Sequence, residues 1–352
     1  MSYKLAISSM SLGRGVAGHD LQDKLDMAAK YGYEGVEIFY EDLADQARRW
    51  AEEDGSPPDL LAAARCVRGL CDERGLKVIC LQPFAQFEGL LDRAEHARRL
   101  RELAAWLDLA RALGTDLVAL ASSFLPAGQV SDSLGLIVAD LREAADLAAG
   151  AGVRLSYESL CWGTRVDDWE ACYDVVCKVD RPNFGMCLDT FNIAGRLYAD
   201  PTSPTGKLPH ADEAVRRSMA RLIGRVDADK VFYVQVVDAE RLASPLTPSH
   251  PFHQPGLPAR MSWSRNCRLF YGEEDRGAFL PVRGIAWACL RGIGYEGWVS
   301  MELYNRRMGD ADRGVPEELA RRGAVAWEKL VADMRVPDYQ YDSSLRSTPE
   351  SP

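Results

Sequence analysis

The chain has 352 residues, 47% of them hydrophobic, with a formal net charge of −10 at pH 7 and a pI of about 5.2. This length suits one large α/β barrel or two smaller domains. The acidic balance argues against a nucleic-acid partner, because such binding depends on phosphate neutralisation by Lys and Arg. A small anionic substrate is still compatible, since a few arginines in a cleft suffice locally.

The amino-terminal segment MSYKLAISSM has neither the basic start nor the long apolar core of a signal peptide. No run approaches the ~18 apolar residues of a membrane span. The nine cysteines are odd in number and scattered, as is typical of free thiols in a reducing compartment. We therefore expect a soluble, cytoplasmic protein without a membrane partner, and a homo-oligomer is compatible with the sequence.

Strand-like and helix-like segments alternate along the whole chain. The predicted strands are 4–9, 35–40, 77–82, 116–121, 153–158, 184–189, 231–237 and 298–303. The predicted helices are 20–31, 58–75, 92–113, 133–150, 167–179, 211–227, 280–293 and 316–334. Gly75, Gly114 and Gly152 fall where helices should end before a strand. Eight such repeats predict a parallel sheet closed into a single (β/α)8 TIM barrel, for which ~250 residues plus insertions suffice.

A doubly wound open sheet is the competing architecture. It is disfavoured because the segment after the first strand, SMSLGRG, lacks the G-x-G-x-x-G phosphate loop. Two segments depart from the βα period. The connection from Asp238 to about Phe279, after the seventh strand, is predicted to be a long functional loop. The polar stretch 336–352 is predicted to be a carboxy-terminal tail following a barrel domain of residues 1–335.

Four predicted strands end on acids or an amide, namely Glu158, Asp189, Gln235 and Glu302. Strand residues buried on both faces should be apolar, so a polar group there needs a partner. In a (β/α)8 barrel these residues would end strands five to eight at the functional face, where four oxygen donors could share one divalent cation. An oxygen-only set favours Mg²⁺ or Mn²⁺ over Zn²⁺. The alternative is that they are structural acids paired with arginines.

Six segments carry a resemblance to known proteins. They are ISSMSLGRGVAGH (7–19), GVEIFYEDL (35–43), LQPFAQFEGLLDR (81–93), YESLCWGTRVDDWE (157–170), RPNFGMCLDTFNIAGR (181–196) and RMSWSRNCRLFYGEEDRGAFLP (260–281). With them the chain, up to about residue 335, resembles the xylose-isomerase-like, endonuclease-IV-type TIM barrels. It is most similar to the fungal-type 3-dehydroshikimate dehydratases of quinate and shikimate catabolism.

The resemblance implies dehydration of 3-dehydroshikimate, an anionic cyclic hydroxy-keto acid, to protocatechuate through a metal-stabilised enolate. It maps the family's metal ligands onto Glu158, Asp189, Gln235 and Glu302. It implies Mg²⁺ or Mn²⁺ as the cofactor, with Co²⁺ as an alternative. Related bacterial dehydratases carry a histidine three residues after the aspartate, where this chain has Asn192. That difference leaves the proton-transfer group open.

Histidines and arginines supply the remaining candidates for this chemistry. His19, after the first strand, and His250 and His253, in the long loop, are candidate bases together with Asn192. His96, within a helix, is expected to face solvent. The substrate carboxylate calls for an arginine, and we expect Arg265 or Arg268 to bind it. The alternative for these arginines is ion pairing with acids at 273–275. The other candidate substrate-binding residues are Arg260, Ser264, Phe84 and Trp162.

Three other functions were considered. A metal-dependent sugar or keto-acid isomerase or epimerase on the same barrel would share the ligand set without needing the arginine cluster. An endonuclease-IV-type repair enzyme is disfavoured by the net charge and by only five histidines. A non-catalytic barrel would not need to keep all four ligand candidates.

Overall fold

The computed structural model describes residues 3–335, so the predicted tail 336–352 lies outside the described residues. Eight parallel strands form a closed barrel in which each strand pairs with its sequence neighbour and the eighth pairs with the first. The barrel strands are β1 (Tyr3–Ser8), β2 (Gly35–Phe39), β3 (Lys77–Ala85), β4 (Leu117–Ala121), β5 (Arg154–Glu158), β6 (Phe184–Asp189), β7 (Val231–Gln235) and β8 (Gly297–Met301). The prediction of a single (β/α)8 barrel is confirmed.

Helices surround the barrel. They are α1 (Leu21–Lys30), α2 (Tyr40–Asp54), α3 (Leu60–Glu73), α4 (Arg93–Leu113), α5 (Leu134–Gly150), α6 (Trp169–Val179), α7 (Thr190–Leu197), α8 (Ala211–Arg225), α9 (Ala259–Cys267), α10 (Val282–Trp287) and α11 (Val315–Arg335). A π-helical turn, Ala288–Gly292, follows α10. None of the helices in the described part of the chain is long and apolar enough to cross a membrane.

Three of these helices were not predicted from the sequence. α2 begins directly at Tyr40, which the prediction assigned to the second strand, so no turn residues separate strand from helix. α7 has only eight residues, six of them buried, and follows the sixth strand without a turn; Asp189 caps it by accepting the Phe191 N–H at 2.7 Å. α9 lies within the segment predicted to be a long loop.

The segment after β7 therefore contains secondary structure. Asp238–Ala239 pairs antiparallel with Arg268–Leu269, and α9 immediately precedes the second of these short strands. Helix α9 begins after Pro258, a residue that favours helix starts because it has no N–H to leave unpaired. This arrangement brings Ser264, Arg265 and Arg268 to the carboxyl ends of the barrel strands, where all three line a cavity.

The barrel interior changes from apolar to polar along the strands. An apolar cluster includes Ala6, Cys80, Cys187 and Tyr233. Two residues further along the same strands, on the same face, stand polar residues that are also buried: Ser8, Gln82, Asp189 and Gln235. The polar layer needs internal partners because no water surrounds it.

A buried ion pair holds the loop after β1. Lys24 Nζ on α1 lies 2.6 Å from Asp42 Oδ1 on α2, and the two side chains are 0% and 2% exposed. Asp42 also accepts a hydrogen bond from Ser9 Oγ at 2.6 Å. Because Ser9 begins the short 3₁₀ turn that carries Met10, this network fixes one wall of the cavity described below.

A candidate metal and substrate site at the carboxyl ends of the strands

Three carboxylates from three strands converge at the carboxyl end of the barrel. Glu158 ends β5, Asp189 ends β6 and Glu302 directly follows β8. Each offers one oxygen, and these oxygens all lie within 4.8 Å of one another. All three residues are buried. The structure thus brings together three of the four ligands predicted from the sequence, and we refer to them as the carboxylate cluster.

Arg268 and the Asn192 amide each bind two members of the carboxylate cluster. Arg268 Nη1 lies 3.0 Å from Asp189 Oδ2 and 3.0 Å from Glu302 Oε2, and its side chain is 2% exposed. Asn192 Nδ2 donates to Glu158 Oε1 at 2.7 Å and to Asp189 Oδ2 at 2.8 Å. The sequence suggested Arg268 or Arg265 as the residue that binds the substrate carboxylate, but in the structure Arg268 forms ion pairs with Asp189 and Glu302.

The charge on the cluster is only partly compensated. Burial, followed by the negative charges of Glu302 and Asp189, raises the pKa of Glu158 well above its ordinary value. Burial also raises the pKa of Glu302 to about 8, although Arg268 opposes the shift. A single guanidinium facing three carboxylates leaves an excess of negative charge that protons or a cation must balance. An all-oxygen donor set suits a hard divalent cation, so these residues fit such a cofactor.

Gln235, the fourth predicted ligand, binds Glu37 on β2 through its amide nitrogen. It is fully buried, and its Nε2 donates to both carboxylate oxygens of Glu37 at 3.0 and 3.2 Å. Within residues 3–335 the structure shows no hydrogen bond between Gln235 and the cluster. Its role as a metal ligand stays a prediction.

Glu37 and Gln82 were not identified from the sequence. Gln82 Nε2 bridges Glu37 Oε2 at 2.8 Å and Glu302 Oε1 at 2.9 Å, so both residues belong to the polar layer beside the cluster. The available signals were a glutamate in the middle of the apolar strand GVEIF and a glutamine at the end of the predicted strand 77–82. Their partners become neighbours only when the barrel closes.

A cavity of about 340 Å³ opens on the cluster. Glu158, Glu302 and Arg268 line it together with Trp162, Ser264 and Arg265. This volume lies at the lower end of the range for small-molecule sites. The cavity therefore places carboxylates, an aromatic wall and basic side chains around a space that suits a small molecule.

Arg265 is the cation of this wall that has no protein partner. Its side chain is exposed, and among the described residues it makes no ion pair and no hydrogen bond. Arg14 also lines the cavity, but its Nη2 pairs with Glu41 at 3.0 Å. Arg265 is therefore available to an anionic ligand in a way that Arg268 and Arg14 are not.

Comparison with known proteins agrees with this geometry. Residues 25–329 match the model of a family described as xylose isomerase-like TIM barrels. The chain belongs to this family. It is 61% identical over 344 residues to a curated 3-dehydroshikimate dehydratase of Neurospora crassa, an alignment that covers 96% of each chain. It is 34% identical to a protein of the same name from Pseudomonas aeruginosa, covering 81% of this chain but 36% of the bacterial one.

Solved structures of other proteins share the fold. A fusion of a xylose isomerase-like TIM barrel with a 4-hydroxyphenylpyruvate dioxygenase superposes with a TM-score of 0.71 and 26% identity, covering 95% of this chain and 44% of the fusion protein. An L-ribulose 3-epimerase superposes with a TM-score of 0.61 and 19% identity over the full length of both chains. The second likeness shows the fold alone.

Two predicted substrate-binding residues of this xylose isomerase-like barrel lie outside the cavity lining. Arg260 donates to the backbone oxygens of Gly195 at 2.7 Å and Ala199 at 3.0 Å, which ties α9 to the end of α7. Phe84 is fully buried, with its ring centroid 5.3 Å from that of Trp106. Their contacts are those of packing residues, and neither is placed to touch a ligand in the cavity.

The predicted histidine bases are also placed elsewhere in this xylose isomerase-like barrel. None of the described residues that line the cavity is a histidine. His19 is buried, with Nε2 2.8 Å from the backbone oxygen of Asp310. His250 Nδ1 accepts the Phe252 N–H at 3.1 Å, and His253 follows in the same turn-rich stretch. The role of these three histidines as proton acceptors stays a prediction, and their contacts in the structure do not support it.

The expectation that His96 faces solvent is wrong. His96 is buried between helices, with Nε2 2.9 Å from Glu143 Oε2 and Nδ1 3.5 Å from Asp140 Oδ2. These three residues form a second group with metal-like spacing. Arg93 already binds both oxygens of Asp140, at 2.6 and 3.0 Å, so the group functions as an ion-pair network between α4 and α5.

Proposed function

We propose that this protein catalyses the divalent-metal-dependent dehydration of 3-dehydroshikimate to protocatechuate. The observation that carries the proposal is one cavity that joins a buried carboxylate cluster to the unpaired Arg265. Identity of 61% to a curated 3-dehydroshikimate dehydratase over 96% of both chains supports it independently. The nine cysteines, all free thiols, are compatible with a cytoplasmic enzyme of quinate and shikimate catabolism.

The carboxylate cluster would hold the cation, with Gln235 as the proposed fourth ligand. Mg²⁺ and Mn²⁺ suit the donors best, and Co²⁺ is an alternative. When bound, a divalent cation polarises a ketone oxygen as a Lewis acid and so lowers the free energy of an enolate. Asn192, which donates to both Glu158 and Asp189, orients two of the ligands. A neutral amide does not take up a proton near pH 7, so Asn192 is better described as a positioning residue than as a base.

The reaction removes a proton from the carbon beside the ketone and a hydroxyl from the next carbon. One water leaves, and tautomerisation completes the aromatic ring. The acidic residues that line the cavity are Glu41, Glu158 and Glu302. Since no described lining residue is a histidine, we expect the proton acceptor to be among these three. Trp162 and Tyr304 wall the cavity and limit the access of water to the reacting carbons.

The direct test is to follow protocatechuate absorbance after adding 3-dehydroshikimate to the purified protein. We expect activity to be lost in EDTA and restored by Mg²⁺ or Mn²⁺. If no metal-dependent product forms, the proposal is wrong. Turnover of a sugar or another keto acid, with none of 3-dehydroshikimate, would instead favour an isomerase or epimerase on the same barrel.

Arg265 is the proposed partner of the substrate carboxylate. A hydrogen bond to a charged group contributes about 1.5–3 kcal/mol, so Arg265→Gln should raise KM by roughly 10- to 150-fold with a smaller change in kcat. Arg14→Gln is the matched control, because Arg14 lines the same cavity but already pairs with Glu41. A normal KM in Arg265→Gln would remove Arg265 from the carboxylate site.

A further inference from the structure

Glu37 is a buried carboxyl group surrounded by hydrogen-bond donors. Glu37 lies on β2 and is fully buried. Its oxygens accept hydrogen bonds from the side chains of Gln82, Gln235 and Ser300. Cys80 Sγ is a weaker donor at 3.5 Å. Within residues 3–335 no Lys, Arg or His forms an ion pair with it, so its hydrogen-bond partners are all neutral donors.

The contact with Gln235 determines which way that amide points. Its Nε2 lies 3.0 and 3.2 Å from the two Glu37 oxygens, and a carboxylate accepts hydrogen bonds only from donors. A reversed amide would bring its carbonyl oxygen against the carboxylate and lose both bonds. The amide atom of Gln235 that Glu37 does not bind is therefore the oxygen, whose contact is the weak Cys187 thiol donor at 3.6 Å. It is the only amide atom that can bind a cation.

A second contact links Glu37 to the carboxylate cluster through Gln82. The single Nε2 of Gln82 donates to Glu37 Oε2 at 2.8 Å and to Glu302 Oε1 at 2.9 Å. Glu37 thus fixes the position of the Gln82 amide, and this amide hydrogen-bonds Glu302. The two links start from one side chain and reach two different predicted ligands.

We propose that Glu37 is a positioning residue for the metal centre. It orients the Gln235 amide so that its oxygen is the available ligand atom, and it places Glu302 through Gln82. This inference rests on the proposed function, because it requires that a divalent cation binds the carboxylate cluster. In protein metal sites, mutation of a residue that hydrogen-bonds a metal ligand typically weakens metal affinity by 10–100-fold.

The test is the dissociation constant of Mn²⁺, measured from the EPR signal of free Mn²⁺ during titration of the full-length protein. Glu37→Gln replaces an acceptor-only carboxylate with an amide that can also donate. The Gln235 amide can then reverse, so that its oxygen faces residue 37 and its nitrogen faces the cluster. We expect Mn²⁺ binding to weaken at least tenfold. The double variant Glu37→Gln/Gln235→Glu reverses the donor and acceptor and again leaves an oxygen free. It should recover most of the lost affinity. Circular dichroism in EDTA checks that each variant folds.

Cys80→Ala is the matched control. It removes a contact to Glu37 and leaves Gln82 and Gln235 untouched, so Mn²⁺ affinity should stay within about twofold of the wild type. Unchanged affinity in Glu37→Gln, or no recovery in the double variant, would overturn the inference. If Glu37→Gln does not fold, Glu37→Asp takes its place, and wild-type affinity there has the same meaning. Failure of the wild type itself to bind Mn²⁺ would instead overturn the proposed function.

Discussion

Replacing Arg268 with methionine tests the electrostatics of the carboxylate cluster. The guanidinium is 2% exposed and lies 3.0 Å from both Asp189 and Glu302. Breaking a buried ion pair by removing one partner costs about 3–5 kcal/mol, because the remaining charge stays buried and uncompensated. Methionine keeps most of the apolar stem, but the contact of the guanidinium with the Phe191 ring, 4.3 Å from its centroid, is lost. We expect the free energy of unfolding to fall by about 4 kcal/mol in EDTA at pH 8.

The loss of unfolding free energy in Arg268→Met should depend on pH. The pKa of Glu302 is raised to about 8 and that of Glu158 is raised well above its ordinary value, both first through burial. At pH 5.5 both side chains can carry a proton, so the variant should then lose much less stability. Urea unfolding followed by circular dichroism at the two pH values measures the difference.

Arg260→Met is the control for this experiment. Arg260 binds backbone oxygens and no carboxylate, so its loss should cost the same at pH 8 and pH 5.5. The reasoning is refuted if Arg268→Met loses less than about 1 kcal/mol at pH 8, or if its loss is independent of pH.

Two further predictions concern the same cluster. Glu302→Gln should reduce kcat on the order of 10³-fold, with an unchanged circular dichroism spectrum, because it removes one of the charged ligands proposed for the cation; near-normal turnover would exclude Glu302 as a ligand. In EDTA the wild type should lose stability as pH rises from about 4.5 to 8, because the raised pKa of Glu302 means that the folded state holds its proton over this range. Saturating Mn²⁺ should reduce that loss, since the cation stabilises the ionised form. Glu88 and Asp238, whose pKa values burial raises to about 7, contribute the same trend in both solutions. A Mn²⁺-induced increase in Tm that does not grow between pH 5.5 and pH 8 would contradict the prediction.

The strand pattern and the strand ends were predictable from the sequence, because both depend on local order along the chain. Short apolar runs separated by helices indicate parallel strands, and the polar residues at or near the ends of four of these runs indicate the functional edge. Glu158, Asp189 and Glu302 were found in this way. Their convergence follows from closure of the barrel, which the βα period already implies.

The partners of these residues were not predictable, because they come from distant parts of the chain. Gln235 and Glu37 are 198 positions apart and meet only across the closed barrel. Arg268 follows helix α9, which was not predicted because it lies in a Pro-rich segment. The sequence suggested the nearby acids at 273–275 as alternative partners of Arg268. In the structure Glu273 instead pairs with Arg322, which leaves Arg268 to turn inward.

Arg268 also bears on the order in which the protein matures. Its guanidinium already neutralises part of the charge of Asp189 and Glu302, so the barrel has an internal counter-ion before any metal arrives. We therefore expect the chain to fold without metal and to take up the proposed cation afterwards. A cation that binds the cluster would share these oxygens with Arg268 or displace it. This exchange should weaken metal affinity relative to an arginine-free site and make cation release reversible on dilution.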